Sequence, residues 1–168
     1  RRLLLFLTAA DRRRLPPTSQ KYSTSLIRSK SKVVSSAKDA LQGLDFNDIT
    51  VCVGGFGLGG SPETLLKELS QNTDAKNLTV ASLTGGIDGR GLGLLLEAGM
   101  VKRLISSYVG ENKYLESSYF GGTLEVELTP QGTLAARMKA AGAGFPAFFT
   151  PTGAGTLYAN GGIPIKFK

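Results

Sequence analysis

Short apolar runs and amphipathic stretches alternate along residues 33–168, and glycine, proline or small polar residues separate them. Five apolar runs have the length and composition of strands, at 49–53, 78–83, 102–108, 123–128 and 146–150. Helical spacing or helix-start residues occur at 33–42, after Ser61–Pro62, and at 92–98, 112–120 and 130–141. This alternation with short loops predicts an α/β fold, with a largely parallel sheet flanked by helices.

Three of these elements carry more specific expectations. In the first helix, Val33 and Val34 share an apolar face with later residues, and Gly43 is expected to end the helix. Ser61 and Pro62 are typical of the N-cap and the first position of the next helix. In the strand at 123–128, Glu125 and Glu127 alternate with apolar residues, which predicts that both face solvent.

The formal net charge of +7 is concentrated at the start of the chain. Residues 1–32 contain nine Lys or Arg and one acid, whereas residues 33–168 contain eleven bases and twelve acids. A nearly neutral body lacks the basic surface that a phosphate backbone requires, so no nucleic-acid partner is expected. The apolar run at 3–10 is too short to span a bilayer, so no membrane partner is expected either.

The basic segment divides the chain into a leader, residues 1–32, and a single domain, residues 33–168. The leader is rich in Arg, Ser and Thr and poor in acids, as in mitochondrial transit peptides. It is therefore expected to be disordered and to direct the protein to the mitochondrial matrix. Two alternatives stay open: a short secretory signal around residues 3–10, and a plain disordered basic tail.

Cysteine and histidine usage excludes several kinds of chemistry. Cys52 is the single cysteine and the chain has no histidine. An intrachain disulfide framework and a Ser-His-Asp triad therefore cannot form, and a zinc site of the usual His/Cys type is not expected. Cys52 lies in an apolar strand, where a packing role is expected.

The segment VCVGGFGLGGSP contains a G-x-G-x-x-G match from Gly55 to Gly60, between a predicted strand and a predicted helix. A dinucleotide site also needs an acid at the end of the second strand, which here ends in Ser82-Leu83-Thr84. A P-loop needs a lysine that this loop lacks. The glycines therefore either permit a tight turn or line another kind of ligand site beyond the carboxyl end of the strand.

Several strings together resemble one enzyme family. GGFxxxGxP, from Gly54 to Pro62, resembles the first signature of class I coenzyme A transferases. YVGENKYLE (108–116), EVELTPQGTLAARMKAAGAGFPAFFTPTGAGT (125–156) and GGIPIKF (161–167) are similar to matching stretches of the 3-oxo acid branch of that family. The resemblance implies the α-domain type of that family's fold, from its N-terminal half and incomplete in this chain.

The resemblance also implies a reaction. Such enzymes move coenzyme A from succinyl-CoA to a 3-oxo acid such as acetoacetate in ketone body catabolism, through an enzyme glutamyl-CoA thioester. No permanently bound cofactor or metal is implied; coenzyme A is a substrate and part of the covalent intermediate. The family's nucleophilic glutamate lies in a Ser-Glu-Asn-Gly or similar motif, which the 168 residues do not contain. The chain alone is therefore expected to be inactive. Its expected partner is a C-terminal half or a β-type subunit, within a homo-oligomer of the complete enzyme.

The resemblance also assigns site residues. Gln131 matches the family's active-site glutamine and is expected to support catalysis as an oxyanion donor. Glu111 matches a stretch distinct from the nucleophile motif, and Thr84 stands where the family has an asparagine. The expected substrate and coenzyme A contacts are Gly54, Gly55, Phe56, Gly57, Gly59, Gly60, Thr84, Glu111 and Asn112.

Two alternatives to this function stay open. One keeps the family and changes the substrate, making the chain an α-type component of an acetate/acetoacetate-type coenzyme A transferase. The other is a non-catalytic or sugar-phosphate-binding domain of similar α/β architecture, because a fold does not determine a function.

Overall fold

The computed structural model describes residues 4–5 and 33–156. Its strands are β1 (Leu4–Leu5), β2 (Thr50–Val53), β3 (Leu78–Thr84), β4 (Val101–Tyr108) and β5 (Glu125–Leu128). Its helices are α1 (Ala37–Leu41), α2 (Glu63–Asn72), α3 (Gly93–Glu97), α4 (Lys113–Phe120) and α5 (Gln131–Ala143). The strands form one parallel sheet in the order β1-β2-β3-β4-β5. The predicted α/β class with a parallel sheet is confirmed.

The core lies between one face of the sheet and a layer of four helices. Right-handed crossovers between successive neighbouring strands place the intervening helices on the same face. Accordingly, α1, α2, α3 and α4 contact one another in sequence order. The buried cluster joins Val80 and Leu104 of the sheet to Leu66, Leu95 and Leu115 of the helices.

The opposite face of the sheet is covered only in part, by α5. Cys52, Ala81, Ile105 and Glu127 form one row across this face, in register on neighbouring strands. Helix α5 packs on β4, while Cys52 and Ile105 are only partly buried. Burial raises the pKa of the Cys52 thiol, which keeps the thiol protonated and agrees with a packing role.

Parallel pairing brings the carboxyl ends of β2, β3, β4 and β5 to one edge of the sheet. We call the segments that follow these strands the carboxyl rim: residues 54–61, 85–92, 109–112 and 129–131. Ligands of open parallel sheets bind at this edge. None of the helices within the described ranges is long and apolar enough to cross a membrane.

At the ends of the domain, the helix predicted at 33–42 is present but shorter, and one predicted strand is wrong. Val33 and Val34 are 85% and 52% exposed rather than packed, because α1 begins only after Ser36, whose hydroxyl accepts from the Asp39 N–H at 3.1 Å. The predicted strand at 146–150 is irregular. It follows Gly144, which ends α5 with a φ of 77°, and no neighbouring strand pairs with it in the described sheet.

Two finer predictions also differ from the structure. Helix α2 begins at Glu63 with Pro62 at its N-cap, so Ser61 does not cap it. Glu125 is exposed as predicted, but Glu127 is only 9% exposed. The reason is that α5 covers this part of the sheet and two arginines bond the Glu127 carboxylate.

The leader falls largely outside the described residues. Within it, Leu4 and Leu5 pair with Thr50 and Val51. The expected transit function and disorder of residues 1–32 stay predictions. The matching string at 161–167 also lies outside the described ranges.

Candidate functional site

The first glycine loop closes into a tight turn at the end of β2. The Phe56 N–H donates to the Gly59 carbonyl at 2.8 Å, and the Gly59 N–H donates to the Phe56 carbonyl at 3.0 Å. Gly57 has a φ of 59° at the tip, and the Phe56 side chain is 74% exposed. The loop thus needs glycine for its geometry and also presents an aromatic ring and open backbone at the carboxyl rim.

The second glycine loop has the same kind of turn at the end of β3. The Arg90 N–H donates to the Ile87 carbonyl at 3.2 Å, and the Ile87 N–H donates to the Arg90 carbonyl at 3.4 Å. This turn lies directly against Gly93, the first residue of α3. Two matching turns therefore stand after adjacent strands.

Acidic side chains join these loops to each other and to α4. The Glu63 Oε2 atom accepts from the Gly91 N–H at 3.1 Å, which connects the start of α2 to the second loop. The Asp88 Oδ1 atom accepts from the N–H groups of Lys113 and Tyr114 at 2.9 and 3.3 Å, which connects the second loop to α4. The start of α2, the second glycine loop and the start of α4 are therefore held as one unit.

The turn between β4 and α4 contains Glu111 and Asn112. The Asn112 Oδ1 atom accepts from the Leu115 N–H at 2.8 Å, and its Nδ2 atom donates to the Gly85 carbonyl at 3.1 Å. This buried amide is thus used inside the fold. Glu111 is exposed and has a φ of 67°, a conformation that costs a residue other than glycine about 1–3 kcal/mol and that is enriched at functional sites.

A cavity of about 660 Å³ opens between α4 and β5. Its volume is in the range of small-molecule sites. Three carboxylate residues line it, Glu111, Glu116 and Glu127. The remaining lining is mainly apolar: Val109, Gly110, Asn112, Leu115, Tyr119, Phe120, Val126 and Leu128. Of the predicted site residues, Glu111 and Asn112 lie at this cavity, whereas Phe56 and Gln131 do not line it.

Gln131 is the first residue of α5 and is exposed at the carboxyl rim. Within the described ranges its side-chain amide makes no hydrogen bond. The first bond of the helix runs from the Leu134 N–H to the Pro130 carbonyl at 2.9 Å, so the preceding N–H groups point out of the helix start. An amide donor and the positive end of a helix therefore occupy the same place.

The predicted site residues lie along one edge but not in one cluster. The ends of β2 and β5 are three strand spacings apart, about 14 Å. The first glycine loop and Gln131 are thus at opposite ends of the rim. Thr84 lies between them, at the end of β3 and in register with Tyr108 of β4. A ligand that contacts both ends must be elongated.

An ion cluster behind the rim was missed by sequence reasoning. The Arg103 Nη2 atom lies 2.6 Å from Glu127 Oε2, and the Arg137 Nη1 atom lies 2.5 Å from Glu127 Oε1. Burial alone would raise the pKa of Glu127, but the bonds and charges of Arg137 and Arg103 outweigh burial and lower the pKa. The carboxylate is therefore ionised at neutral pH. Only the strand register and the position of α5 reveal this cluster, and neither has a signal in the sequence.

The described residues contain no group of three or more His, Cys, Asp or Glu side chains placed to hold a metal ion.

The chain is similar to proteins from several organisms. It is 57% identical over 117 residues to human succinyl-CoA:3-ketoacid coenzyme A transferase 2, mitochondrial, covering 70% of this chain and 22% of the human protein. It is 49% identical over 136 residues to one subunit of the probable succinyl-CoA:3-ketoacid coenzyme A transferase of Mycobacterium tuberculosis (strain ATCC 25618 / H37Rv), covering 81% of this chain and 54% of that subunit. The corresponding subunit of the Helicobacter pylori (strain J99) enzyme is 50% identical over 138 residues, covering 82% of this chain and 59% of that subunit.

The chain thus spans little more than half the length of these bacterial subunits. Among solved structures, the acyl-CoA transferase YdiF apoenzyme of Escherichia coli O157:H7 superimposes with a TM-score of 0.63 at 28% identity, covering 74% of this chain and 25% of that chain. A thioester complex of the same enzyme with CoA gives a TM-score of 0.62. The family model described as coenzyme A transferase matches residues 34–167, and the chain therefore belongs to the coenzyme A transferase family.

Proposed function

We propose that this chain forms the N-terminal, α-type part of an enzyme that moves coenzyme A from succinyl-CoA to a 3-oxo acid such as acetoacetate. The observation that carries the proposal is the similarity to human and bacterial proteins named for that reaction. Those names favour a 3-oxo acid over acetate as the acceptor. The family match over nearly the whole domain argues against a sugar-phosphate-binding module.

The reaction proceeds by covalent catalysis. A glutamate carboxylate attacks the thioester carbonyl carbon of succinyl-CoA and expels the CoA thiolate, which leaves a mixed anhydride. The thiolate then attacks the glutamyl carbonyl carbon, releases succinate and forms a glutamyl-CoA thioester. The 3-oxo acid carboxylate repeats these steps in reverse. Each tetrahedral intermediate places negative charge on an oxygen, and donors aimed at that oxygen lower the barrier.

Gln131 is the proposed donor to this oxygen. Its amide is exposed at the carboxyl rim and unused within the described fold, and the N-terminal end of α5 adds a favourable potential for negative charge. A neutral amide stabilises the oxyanion without adding a competing proton to the site. The nucleophilic glutamate is proposed to come from the other part of the enzyme.

Replacement of Gln131 by alanine in the complete enzyme tests this assignment. We expect kcat to fall by roughly 10- to 1,000-fold, the effect of losing one oxyanion donor. Steady-state kinetics and circular dichroism give the measurement, and Gln71→Ala, at an exposed position of α2, is the matched control with an unchanged rate. An unchanged kcat in Gln131→Ala would remove Gln131 from the mechanism.

The other rim residues are proposed to bind the substrates. The loop with Gly54, Gly55, Gly57, Gly59 and Gly60 is proposed to form a wall of the acyl or coenzyme A site beside Phe56. Its backbone is open at Gly54 and Gly57, where a Cβ atom would meet nothing within 4 Å. Thr84 is proposed to offer a hydroxyl where relatives of this family have an amide.

The cavity beside Glu111 suits the neutral pantetheine arm of coenzyme A. The carboxylates that line it would repel the phosphates of coenzyme A, whereas its apolar surface accepts an uncharged chain. Asn112 supports this part of the site through its bonds inside the fold. Coenzyme A is thus proposed as a substrate and as part of a covalent intermediate, with no permanently bound cofactor.

The complete enzyme is proposed to need a second part, either a C-terminal half or a β-type subunit, in a homo-oligomer of the whole. The bacterial relatives are each named as one subunit of their enzyme, which implies that those enzymes have a partner subunit. Nucleic acids and membranes are not among the proposed partners.

The proposed location is the mitochondrial matrix. The Arg- and Ser-rich leader and the mitochondrial names of the human and rat relatives support it.

Residues 1–32 fused to a fluorescent reporter are expected to carry the reporter into mitochondria, and the same fusion with its arginines changed to glutamine should remain outside. Delivery to the secretory pathway would favour the signal-peptide alternative instead.

A further inference from the structure

The ion cluster on the second face of the sheet connects β4, β5 and α5. Its centre is the Glu127 carboxylate, bonded on one side by Arg103 and on the other by Arg137. The Arg103 Nε atom also lies 3.2 Å from Glu125 Oε1. One buried carboxylate thus fixes α5 to two strands at once.

The same cluster holds the turn that precedes α5. Thr129 is buried, its N–H donates to the Ser106 carbonyl at 2.8 Å, and its hydroxyl donates to Glu127 Oε1 at 3.3 Å. The Arg137 Nη1 atom also lies 3.4 Å from the Thr129 hydroxyl oxygen. Glu127 therefore holds the chain on both sides of Gln131, two residues before it and six residues after it.

Gln131 itself has no such support. Its amide makes no hydrogen bond within the described ranges, so its direction depends on how the turn and the helix are held. We propose that Glu127, together with Arg103, Arg137 and Thr129, is a positioning cluster that aims the Gln131 amide at the reacting oxygen. This inference rests on the proposed oxyanion role of Gln131.

Stability alone gives a weak reason for such a cluster. Only the Glu127 carboxylate is buried, whereas the Arg103 and Arg137 side chains are 33% and 39% exposed. Burial of that carboxylate is unfavourable in itself, and well-packed apolar side chains often stabilise a fold as well or better. The orientation of the Gln131 amide is a stronger reason for the cluster, because an error of about 1 Å in a reacting geometry can cost about 100-fold in rate. Bonds from two sides also define an orientation that apolar contacts leave loose.

A double-mutant cycle in the complete enzyme tests the inference. Arg137→Met keeps an unbranched side chain at this position and removes the guanidinium group with its charge, and we expect kcat to fall by about 10- to 100-fold with little change in KM. In the Gln131→Ala background the same change should have no further effect on kcat, because the aimed group is absent. Arg137→Lys should restore much of the rate, and Lys139→Met on the same helix should behave as wild type.

The outcomes distinguish the proposed role of the cluster from the proposed role of Gln131. Equal losses from Arg137→Met in both backgrounds, or no loss in the wild-type background, would show that the cluster only supports the fold and would overturn the inference. Full activity of Gln131→Ala would overturn the proposed role of Gln131 itself. Thr129→Val, which replaces the hydroxyl by a methyl group of similar size, repeats the cycle if Arg137→Met does not fold, and additive losses there would overturn the inference in the same way.

Discussion

Replacement of Gly93 by alanine is expected to destabilise the domain by more than about 4 kcal/mol, enough to prevent soluble expression of a marginally stable protein. A Cβ atom at Gly93 would overlap with the Ile87 carbonyl oxygen and would lie 3.0 Å from the carbonyl carbon. Both are backbone atoms, and the hydrogen bonds between Ile87 and Arg90 hold them in place. Relief of the clash therefore requires movement of the whole second glycine loop.

Gly57→Ala is the matched control for this change. Gly57 has a φ of 59°, and a Cβ atom there would meet nothing within 4 Å. Only the left-handed backbone opposes alanine at this position, at a cost of about 1–2 kcal/mol. Soluble yield compares the two variants, and urea unfolding followed by circular dichroism gives the free energies of unfolding of those that are recovered. Similar free energies of unfolding for Gly93→Ala and Gly57→Ala would contradict the packing described for residues 85–93.

Most of the fold could be predicted because its signals are local. The apolar run predicted at 78–83 is the strand Leu78–Thr84, and the run predicted at 102–108 is Val101–Tyr108. The helix predicted at 112–120 begins one residue later, since Asn112 is its N-cap. Length, periodicity and capping residues sufficed for these elements, and short connections then favoured parallel pairing.

The failures concern contacts made at a distance. Residues 146–150 have the composition of a strand, but a strand also needs a partner, and the described sheet provides none. The alternation of polar and apolar residues places Glu127 and its apolar neighbours on opposite faces of the sheet. It does not show which of these faces a helix covers. Its burial depends on Arg137, ten residues later, and on Arg103, which the strand register brings alongside.

The places of the candidate residues along the sheet edge could be predicted better than the hydrogen bonds between the segments that carry them. Parallel strands place Phe56, Thr84 and Gln131 at one edge, as the order of motifs implied. The bond between Glu63 and Gly91 joins residues 28 positions apart, and no spacing rule indicates it. The G-x-G-x-x-G match alone would have suggested a nucleotide site, whereas the turn at Gly57 shows a loop that closes on itself.

The 168-residue chain by itself is expected to show no detectable coenzyme A transfer. Covalent catalysis needs a glutamate held against the thioester carbon, and the family's motif for that residue does not occur in this sequence. Two buried or bonded carboxylates are poorly suited to replace it: Glu63 accepts from Gly91, and Glu127 is ion-paired with two arginines. An oxyanion donor without a nucleophile cannot form the enzyme-CoA thioester.

Trapping the enzyme-CoA thioester shows which polypeptide carries the nucleophilic glutamate. The chain is incubated with succinyl-CoA, treated with borohydride to reduce any glutamyl thioester, and analysed by peptide mass mapping. No modified peptide is expected from the chain alone. Addition of a separately produced polypeptide that supplies the rest of the enzyme should restore acetoacetate-dependent exchange and place the modification on that second polypeptide.

The most informative position within this chain is Glu111, because its carboxylate is exposed beside the cavity and its backbone conformation is unfavourable. If Glu111 binds substrate without reacting, Glu111→Gln in the reconstituted enzyme should raise KM and leave the trapped residue unchanged. A borohydride-dependent modification of Glu97, Glu111 or any other glutamate of this chain would show that the nucleophile lies here. This chain would then provide the nucleophile, and its partner would provide the substrate-binding surface.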